Sequence, residues 1–280
     1  MDHGIPSRTA LRVALRRAAH QIFDSPVVFH DPVAVPLLGD TYAAELDRTR
    51  FKLEKPFSVA MRAHVVARSR FAEDALARAY AGGVRQYVLL GAGLDTFAYR
   101  NPFARLRVFE VDHPATQGWK RDLLQRAGIA APENLKYVPV DFERQSLAAE
   151  LDAAGFDAGA PAFFAWLGVV PYLTLEAFRA TVGFIAARPA GSGVVFDYGQ
   201  PREVLPLLEQ LAHDSLASRV QLVGEPFQLF FTPQQAAAEL SAFARIEDLG
   251  KNEINALYYA ERADQLAARG SAGRLLCAWK

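Results

Sequence analysis

Cysteine is almost absent from this sequence, whose 280 residues include only one, Cys277. A single thiol excludes an internal disulfide and any metal site built from a cluster of cysteines. Cys277 lies in an apolar stretch, residues 275–279, close to the end of the chain. We therefore interpret it as a core residue rather than a nucleophile, because a buried free cysteine behaves as a small apolar side chain.

Long hydrophobic runs and an excess of either charge are missing as well. No apolar stretch approaches the roughly 20 residues that a membrane-spanning helix needs. The first residues lack the charged-then-apolar profile of a signal peptide. The 31 basic and 31 acidic residues are interspersed and give no net charge, whereas nucleic acids and anionic membranes attract a basic stripe. We expect a cytoplasmic protein with neither nucleic acid nor membrane as partner; the sequence does not indicate an oligomeric state.

The chain is long and apolar enough for one large domain. Its hydrophobic fraction of 51% suffices for a sizeable core, and α/β domains often reach this length undivided. Residues 1–80 have the apolar spacing of helices, interrupted by four prolines: Pro26, Pro32, Pro36 and Pro56. Over 84–280 the pattern changes to strands that alternate with helices. Because no repeat or long linker separates the two parts, we predict a single domain, 1–280.

Short β-branched or aromatic segments between turn residues predict seven strands. They lie at 86–90, 107–111, 136–140, 162–167, 194–198, 246–249 and 274–279. Helices are predicted at 9–23, 58–80, 115–127, 175–187 and 201–218, with two more that begin at Thr232 and Asn255. Strands that alternate with helices pair in parallel, so we predict an α/β fold with a doubly wound, mostly parallel seven-stranded sheet. The last two strands are expected to form an antiparallel edge.

A glycine turn follows the first predicted strand, in the segment LGAGLDT at residues 90–96. Gly91 and Gly93 allow the backbone to turn tightly and to approach a ligand closely. A dinucleotide site would have a third glycine where this chain has Thr96, so a nicotinamide dehydrogenase is disfavoured. The motif favours a nucleoside ligand without phosphates over a purely structural turn.

Acidic residues end the next two predicted strands. Asp112 follows the glycines by about 20 residues, where a carboxylate can accept from both hydroxyls of a ribose. Glu110 points the same way but lies deeper in the strand. Asp141 is placed to accept from an adenine amino group, and Phe142 to stack on the base. Both aspartates could instead cap the helices that follow them.

These segments resemble the leucine carboxyl methyltransferase family, especially its bacterial branch of polyketide O-methyltransferases. The resemblance is carried by VLLGAGLDT at 88–96, FEVDHP at 109–114 and the pair 141–142, and it extends to 9–10, 30–32, 67–68, 224–227 and the end of the chain. It implies a class I methyltransferase, Rossmann-like fold with a helical N-terminal cover over 1–80. It also implies a substrate-covering insertion near 200–240, S-adenosyl-L-methionine as cofactor, and no metal.

The resemblance assigns positions around that cofactor. Gly91 and Gly93 would lie against its methionine part, Asp112 would hold the ribose, and Arg68 would pair with the cofactor carboxylate rather than being a solvated helix residue. The implied cofactor-binding set is Arg68, Gly91, Ala92, Gly93, Asp95, Asp112, His113, Asp141, Phe142 and Trp166. A second basic residue is expected from the first helix, with Arg16, Arg17 and His20 as open alternatives. Leu167 stands where the family usually has an acid, so either a backbone carbonyl near Trp166 accepts from the cofactor amino group or that group is held differently.

Aromatic side chains mark the expected acceptor side, with four substrate-binding candidates: Tyr172, Tyr198, Gln200 and Phe227. Methyl transfer needs alignment more than acid–base chemistry, and a carboxylate acceptor is already ionised at neutral pH. A phenol would need a base, and His113 is the only histidine near a predicted strand end, although its position is more typical of a helix start. We expect O-methylation of a carboxylate, or of a hydroxyl, on a small molecule such as a secondary metabolite, and assign no catalytic residue. The alternatives are methylation of a peptide or protein C-terminal carboxyl group and a non-catalytic nucleoside-binding module.

Overall fold

The computed structural model describes residues 8–141, 144–221 and 226–280. Within these ranges the helices are α1 (Arg8–Phe23), α2 (Ala34–Arg48), α3 (Arg50–Leu53), α4 (Pro56–Ala81), α5 (Pro114–Arg126), α6 (Leu147–Ala153), α7 (Leu175–Ala186), α8 (Leu207–Gln221), α9 (Pro233–Glu239) and α10 (Lys251–Tyr258). The strands are β1 (Gln86–Leu90), β2 (Arg107–Asp112), β3 (Leu135–Pro139), β4 (Phe163–Trp166), β5 (Gly193–Gly199), β6 (Arg245–Leu249) and β7 (Gly273–Trp279).

The seven strands form one sheet in the order β3-β2-β1-β4-β5-β7-β6. The first five pair in parallel, and β7 is inserted antiparallel between β5 and β6. The predicted doubly wound, mostly parallel sheet with an antiparallel edge is therefore confirmed. The strand order reverses between β1 and β4, and open α/β sheets bind ligands at the carboxyl ends of the strands next to such a reversal.

Helices cover both faces of the sheet because the central strands are apolar on both sides. One cluster joins Ala67 and Phe71 of α4 to alternate residues of β1, β4, β5 and β7. The other joins Phe178 of α7 to the remaining strand residues, including Val194 and Phe196 of β5. This alternation assigns each residue of β5 to a face: odd-numbered residues lie toward α4, and even-numbered residues lie toward α7.

The N-terminal helices lie over the sheet as the sequence predicts, although two prolines do not interrupt them. Pro36 lies in the first turn of α2, and Pro56 is the first residue of α4, positions where the missing N–H costs little. Helix α2 instead bends at Gly39, which adopts a φ of +70°. Helix α1 contacts α2 and α4, and α4 contacts β5 and β7.

Several predicted helix bounds were wrong. Helix α10 begins at Lys251 rather than Asn255, because the Glu253 side chain accepts from the Gly250 N–H and caps its first turn. Helix α8 begins at Leu207, after Pro206, rather than near residue 201. Helices α3 and α6 were not predicted, because they are too short to show a helical spacing of apolar residues. Among the described residues, no helix is long and apolar enough to cross a membrane.

Candidate functional site

The glycine turn after β1 is held against β2. The N–H groups of Gly91 and Ala92 both donate to the Val111 carbonyl, at 2.9 and 3.0 Å. Gly91 and Gly93 have φ values of +66° and +51°, in the left-handed region that favours glycine. A Cβ atom on Gly91 would lie 2.5 Å from Val169 Cγ2, beyond β4, and one on Gly93 would lie 3.1 Å from a methyl group of α1. The turn is therefore closely covered by the loop after β4 and by α1.

Asp112 reaches this turn from the end of β2. Its Oδ2 accepts from the Gly93 N–H at 2.5 Å, and its Oδ1 accepts from the His113 N–H at 2.7 Å. Burial raises the pKa of the Asp112 carboxyl group, and these two bonds act in the opposite direction. Each carboxylate oxygen has a further lone pair, so Asp112 can still accept from a ligand.

Glu110 lies two residues deeper in β2 and is fully buried. Its Oε2 accepts from Lys120 Nζ at 2.7 Å, whereas Oε1 has no hydrogen-bond partner among the described residues. Burial raises the pKa of Glu110 to about 7, with Lys120 opposing the shift. Glu110 is thus part of the contact between β2 and α5.

Three further predicted cofactor contacts follow the ends of β2 and β3: His113, Asp141 and Phe142. His113 Nδ1 accepts from the Ala115 N–H at 3.2 Å and caps α5, the helix-start position that its sequence context favours. Asp141 follows β3, and its carboxylate lies 3.6 Å from Arg144 Nε. Phe142 lies outside the described residues. Asp141 and Phe142 as adenine contacts therefore stay predictions.

Trp166 ends β4, but its ring does not face the strand-end cleft. It stacks on Phe178 of α7, with ring centroids 5.5 Å apart and an interplanar angle of 6°. Only its backbone lies at the carboxyl edge of the sheet. The Trp166 ring is thus used in packing against α7, and Trp166 as a cofactor contact stays a prediction.

Arg68 joins three elements at the ends of β4 and β5. Its Nη1 donates to Asp197 Oδ2 at 2.7 Å, and the Gly168 N–H donates to Asp197 Oδ1 at 2.5 Å. Gly168 has a φ of +71°, and a Cβ atom there would lie 2.8 Å from Arg68 Nη2. Asp197 of β5 therefore supplies an acid beside the position where Leu167 stands. Asp197 was not predicted as a site residue, although a carboxylate inside the apolar segment VVFDY indicates a partnered or functional group.

Two of the three basic candidates on α1 are used within the protein. His20 Nδ1 lies 2.8 Å from Asp24 Oδ2, and its Nε2 accepts from the Val28 N–H. Arg17 donates to the Leu94 carbonyl, next to the glycine turn. Its Nε has no hydrogen-bond partner among the described residues, although it lies 3.5 Å from an Asp31 carboxylate oxygen.

Arg16 differs from both, since it has no acidic partner within the described ranges and donates only to the Arg12 carbonyl. Burial, followed by the neighbouring charges of Arg68 and Arg12, lowers the pKa of Arg16 to about 10. A group of like charges favours an anion between them. Arg16 is therefore the α1 residue best placed to bind a ligand carboxylate.

A buried network of side chains, not predicted from the sequence, joins the N-terminal cover to the glycine turn. Thr96 Oγ1 donates to Asp31 Oδ2 at 2.7 Å, and both side chains are fully buried. Arg100 lies 3.4 Å from Asp31 and pairs with Glu73 of α4. Asp95 accepts from the Phe97 N–H at 2.8 Å and lies 3.8 Å from the Arg17 guanidinium, so it also stabilises this turn. Thr96 thus has a structural role beyond replacing a glycine.

The four acceptor-side candidates divide into two pairs. Tyr172 and Phe227 lie together, with ring centroids 5.3 Å apart. Tyr198 is buried on the α7 face of the sheet, and its hydroxyl donates to Asp248 at 2.7 Å. Gln200 is held by the turn before β7, where its Nε2 donates to the Ser271 carbonyl at 2.6 Å. Tyr198 and Gln200 therefore have partners within the protein, and their roles as substrate contacts stay predictions.

A separate surface cleft of about 720 Å³ lies between α4, α10 and β6. None of the predicted site residues lines it. Charged side chains that line it form ion pairs with one another: Arg70 with Asp74 and Arg78 with Glu247. Among the described residues, no group of three or more histidine, cysteine or acidic side chains could hold a metal ion.

Known proteins are similar to this chain in sequence and in fold. A protein of Bacillus subtilis (strain 168) named "Putative S-adenosyl-L-methionine-dependent methyltransferase YktD" is 30% identical over 94% of each chain. A relative from Mycolicibacterium smegmatis with a similar name is 33% identical over 83% of this chain and 79% of its own. The crystal structure of a "putative methyltransferase" from Thermobifida fusca covers 100% of this chain and 96% of its own, with a TM-score of 0.61 and 17% identity.

The family assignment follows from the sequence comparisons, since at 17% identity the structural likeness shows the fold alone. Residues 10–186 match the model of one family, described as leucine carboxyl methyltransferase. The chain therefore belongs to the leucine carboxyl methyltransferase family.

Proposed function

We propose that this protein transfers the methyl group of S-adenosyl-L-methionine to an oxygen atom of a small-molecule acceptor. The cofactor and the methyl transfer follow from membership of the family. The observation that carries the site assignment is the hydrogen bond between Asp112 and the Gly93 N–H, which joins the acid of β2 to the glycine turn at the strand-order reversal.

The donors and acceptors present fit this cofactor. Asp112 can accept from ribose hydroxyls, and the left-handed turn at Gly91 and Gly93 brings its backbone against the Asp112 carboxylate. Arg16 and Arg68 suit the cofactor carboxylate, since guanidinium groups bind carboxylates in pairs of hydrogen bonds. When bound, the cofactor supplies an electrophilic methyl group on a positively charged sulfur.

The chain's own contribution is alignment. Holding the acceptor oxygen about 3 Å from the methyl carbon, in line with the carbon–sulfur bond, contributes several kcal/mol to lowering the barrier. The Asp197 carboxylate holds both the Arg68 guanidinium and the Gly168 N–H in place. Groups held in this way suit the task because they lose little conformational freedom when the substrate binds.

A small acceptor is favoured over a polypeptide because the site is covered. Helix α1 lies against the turn at Gly93, and the aromatic pair Tyr172 and Phe227 lies beyond the end of β4. We propose that residues 1–280 act as one methyltransferase domain, in which the segment near 200–240 covers an acceptor such as a polyketide or another secondary metabolite. The aromatic rings favour an acceptor with flat or apolar parts.

Product analysis with labelled cofactor tests this function. The protein is incubated with S-adenosyl-L-methionine carrying a labelled methyl group and with panels of small carboxylic acids, phenols and peptides. The proposal expects label on an oxygen of a small molecule. Transfer to peptide C-terminal carboxyl groups alone would support the peptide alternative, and transfer to nitrogen, carbon or sulfur would contradict O-methylation.

A further inference from the structure

Two glycines at the carboxyl end of β5 let side chains from other segments pack directly on the sheet. Gly199 ends β5, Gly273 begins β7, and the two residues are directly paired in the antiparallel ladder. Because side chains alternate along a strand, both share the face of Val195 and Leu275, which pack against α4. At the strand ends this face therefore carries no side chain from either strand.

His64 of α4 lies over one of these glycines. A Cβ atom on Gly273 would come within 2.9 Å of His64 Cε1. Arg68, one helical turn later, contacts Asp197, whereas His64 lies at the level of Gly273, two residues nearer to the strand end. His64 is partly buried, and neither ring nitrogen makes a hydrogen bond with a described residue. The His64 ring nitrogens can therefore bind a ligand, and the ring lies nearer to the end of β5 than the Arg68 guanidinium does.

Aromatic rings continue from the second glycine. A Cβ atom on Gly199 would lie 3.1 Å from Phe230 Cδ1. The Phe230 ring lies 5.3 Å from the His213 ring and 6.1 Å from the Phe227 ring, measured between centroids. Phe227 in turn contacts Tyr172 after β4. These rings form a wall from β5 to β4 that suits the flat face of an aromatic molecule.

The surroundings of His64 favour its neutral form. Burial lowers the pKa of the His64 imidazole below its ordinary value near 6.5. Two charged groups face the ring: Asp197 of β5 raises the pKa, and Arg68 of α4 lowers it. A neutral imidazole at pH 7 has one unprotonated nitrogen, which can accept a proton.

We propose that His64 is the general base for an aromatic hydroxyl acceptor, bound between His64 and the ring wall of Tyr172, Phe227 and Phe230. This inference rests on the proposed function and specifies its acceptor class. A phenol, with a pKa of about 10, is mostly protonated at neutral pH and gains from such a base. The expectation of a carboxylate acceptor depended on finding no base in the sequence, and His64 supplies one.

The proposed step is balanced within the site. A ring nitrogen of His64 takes the hydroxyl proton as the acceptor oxygen forms its bond to the methyl carbon. The carbon–sulfur bond breaks, and its electron pair stays on sulfur, which gives neutral S-adenosylhomocysteine and an aryl methyl ether. The His64 imidazolium then releases its proton to water.

The test compares wild type, His64→Gln and a matched control, His30→Gln, whose histidine is exposed. Each protein is assayed at pH 8 with unsubstituted phenols and with nitrophenols, which are largely ionised there. His64→Gln is expected to lower kcat for unsubstituted phenols by roughly 10²–10⁴-fold. For nitrophenols the loss is expected to be below tenfold, with S-adenosylhomocysteine affinity unchanged. Wild-type kcat is expected to fall as pH drops through the lowered pKa of His64, and this step is absent from the variant.

Equal losses for both kinds of phenol, or an activity of His64→Gln equal to that of His30→Gln, would overturn the inference. A wild type that binds S-adenosylhomocysteine but methylates no phenol also overturns it and leaves the proposed function intact. A wild type that binds no S-adenosylhomocysteine contradicts the proposed function itself. If His64→Gln lowers Tm, Gly273→Ala provides a second variant, because its methyl group displaces the ring and is expected to produce the same selective loss.

Discussion

Replacing Asp112 by alanine is expected to weaken the binding of S-adenosylhomocysteine at least tenfold. In the proposed complex the carboxylate accepts from two ribose hydroxyls, and hydrogen bonds to a charged group contribute about 1.5–3 kcal/mol each. Two such bonds amount to about 3–6 kcal/mol, and about 1.4 kcal/mol corresponds to a factor of ten in affinity. Part of this is offset because the carboxylate is itself unfavourably buried, as its raised pKa indicates. Tenfold is therefore the lower limit.

Isothermal titration calorimetry with S-adenosylhomocysteine measures this loss directly. Asp112→Asn serves as a second variant, because its amide oxygen can still accept from the Gly93 N–H and preserve the turn while the charge is lost. Asp122→Ala, at an exposed position on α5, is the matched control. An Asp112→Ala protein with wild-type Tm and wild-type affinity would refute the ribose assignment.

Three further substitutions test separate parts of the account. Gly91→Ala should lower the free energy of unfolding by about 1–3 kcal/mol, because its φ of +66° and the 2.5 Å approach to Val169 strain any larger residue; thermal denaturation with an unchanged Tm would contradict this contact. Arg16→Ala should raise the Kd for S-adenosylhomocysteine about tenfold by removing a charge-assisted bond to its carboxylate; unchanged calorimetric affinity would exclude this role. Because burial raises the Glu110 pKa from 4.5 to about 7, folding binds a proton in that window, and wild-type stability should fall with rising pH relative to Glu110→Gln. Urea denaturation of both proteins at pH 5 and pH 8 checks this. If the difference in unfolding free energy between wild type and Glu110→Gln is the same at both pH values, the Glu110 pKa is not raised.

The sheet could be predicted because its strands are short, apolar and separated by turn residues. All seven predicted strands are present, with every bound within one residue of the predicted one. Helix starts were harder, since local side-chain bonds decide them: the Glu253 cap at Gly250 moves the start of α10 four residues earlier than its apolar spacing indicates. Pro36 shows the same difficulty, because a proline in the first turn does not break a helix.

The proximity of Asp112 to the glycine turn was also predictable from topology. Sequential strands most often pair with each other, and a parallel pair places its carboxyl ends side by side, as β1 and β2 do. Alternation along β5 likewise places Tyr198 and its neighbour Asp197 on opposite faces of the sheet, since adjacent residues of a strand point to opposite sides.

Contacts between distant segments were not predictable from local patterns. Arg68 and Asp197 are separated by 129 positions, and nothing near either residue specifies the other. His64 is similar, because its position over Gly273 depends on how α4 lies across the sheet. The acceptor side of the site is built mainly from such contacts, which explains why the sequence indicated the cofactor more clearly than the acceptor.

A crystal structure of the protein with S-adenosylhomocysteine tests the central assignment most directly. We predict the ribose hydroxyls at Asp112, the methionine part along Gly91 and Gly93, and the carboxylate near Arg16 and Arg68. Density for the ligand at any other place in the molecule, with this turn empty, would contradict the account.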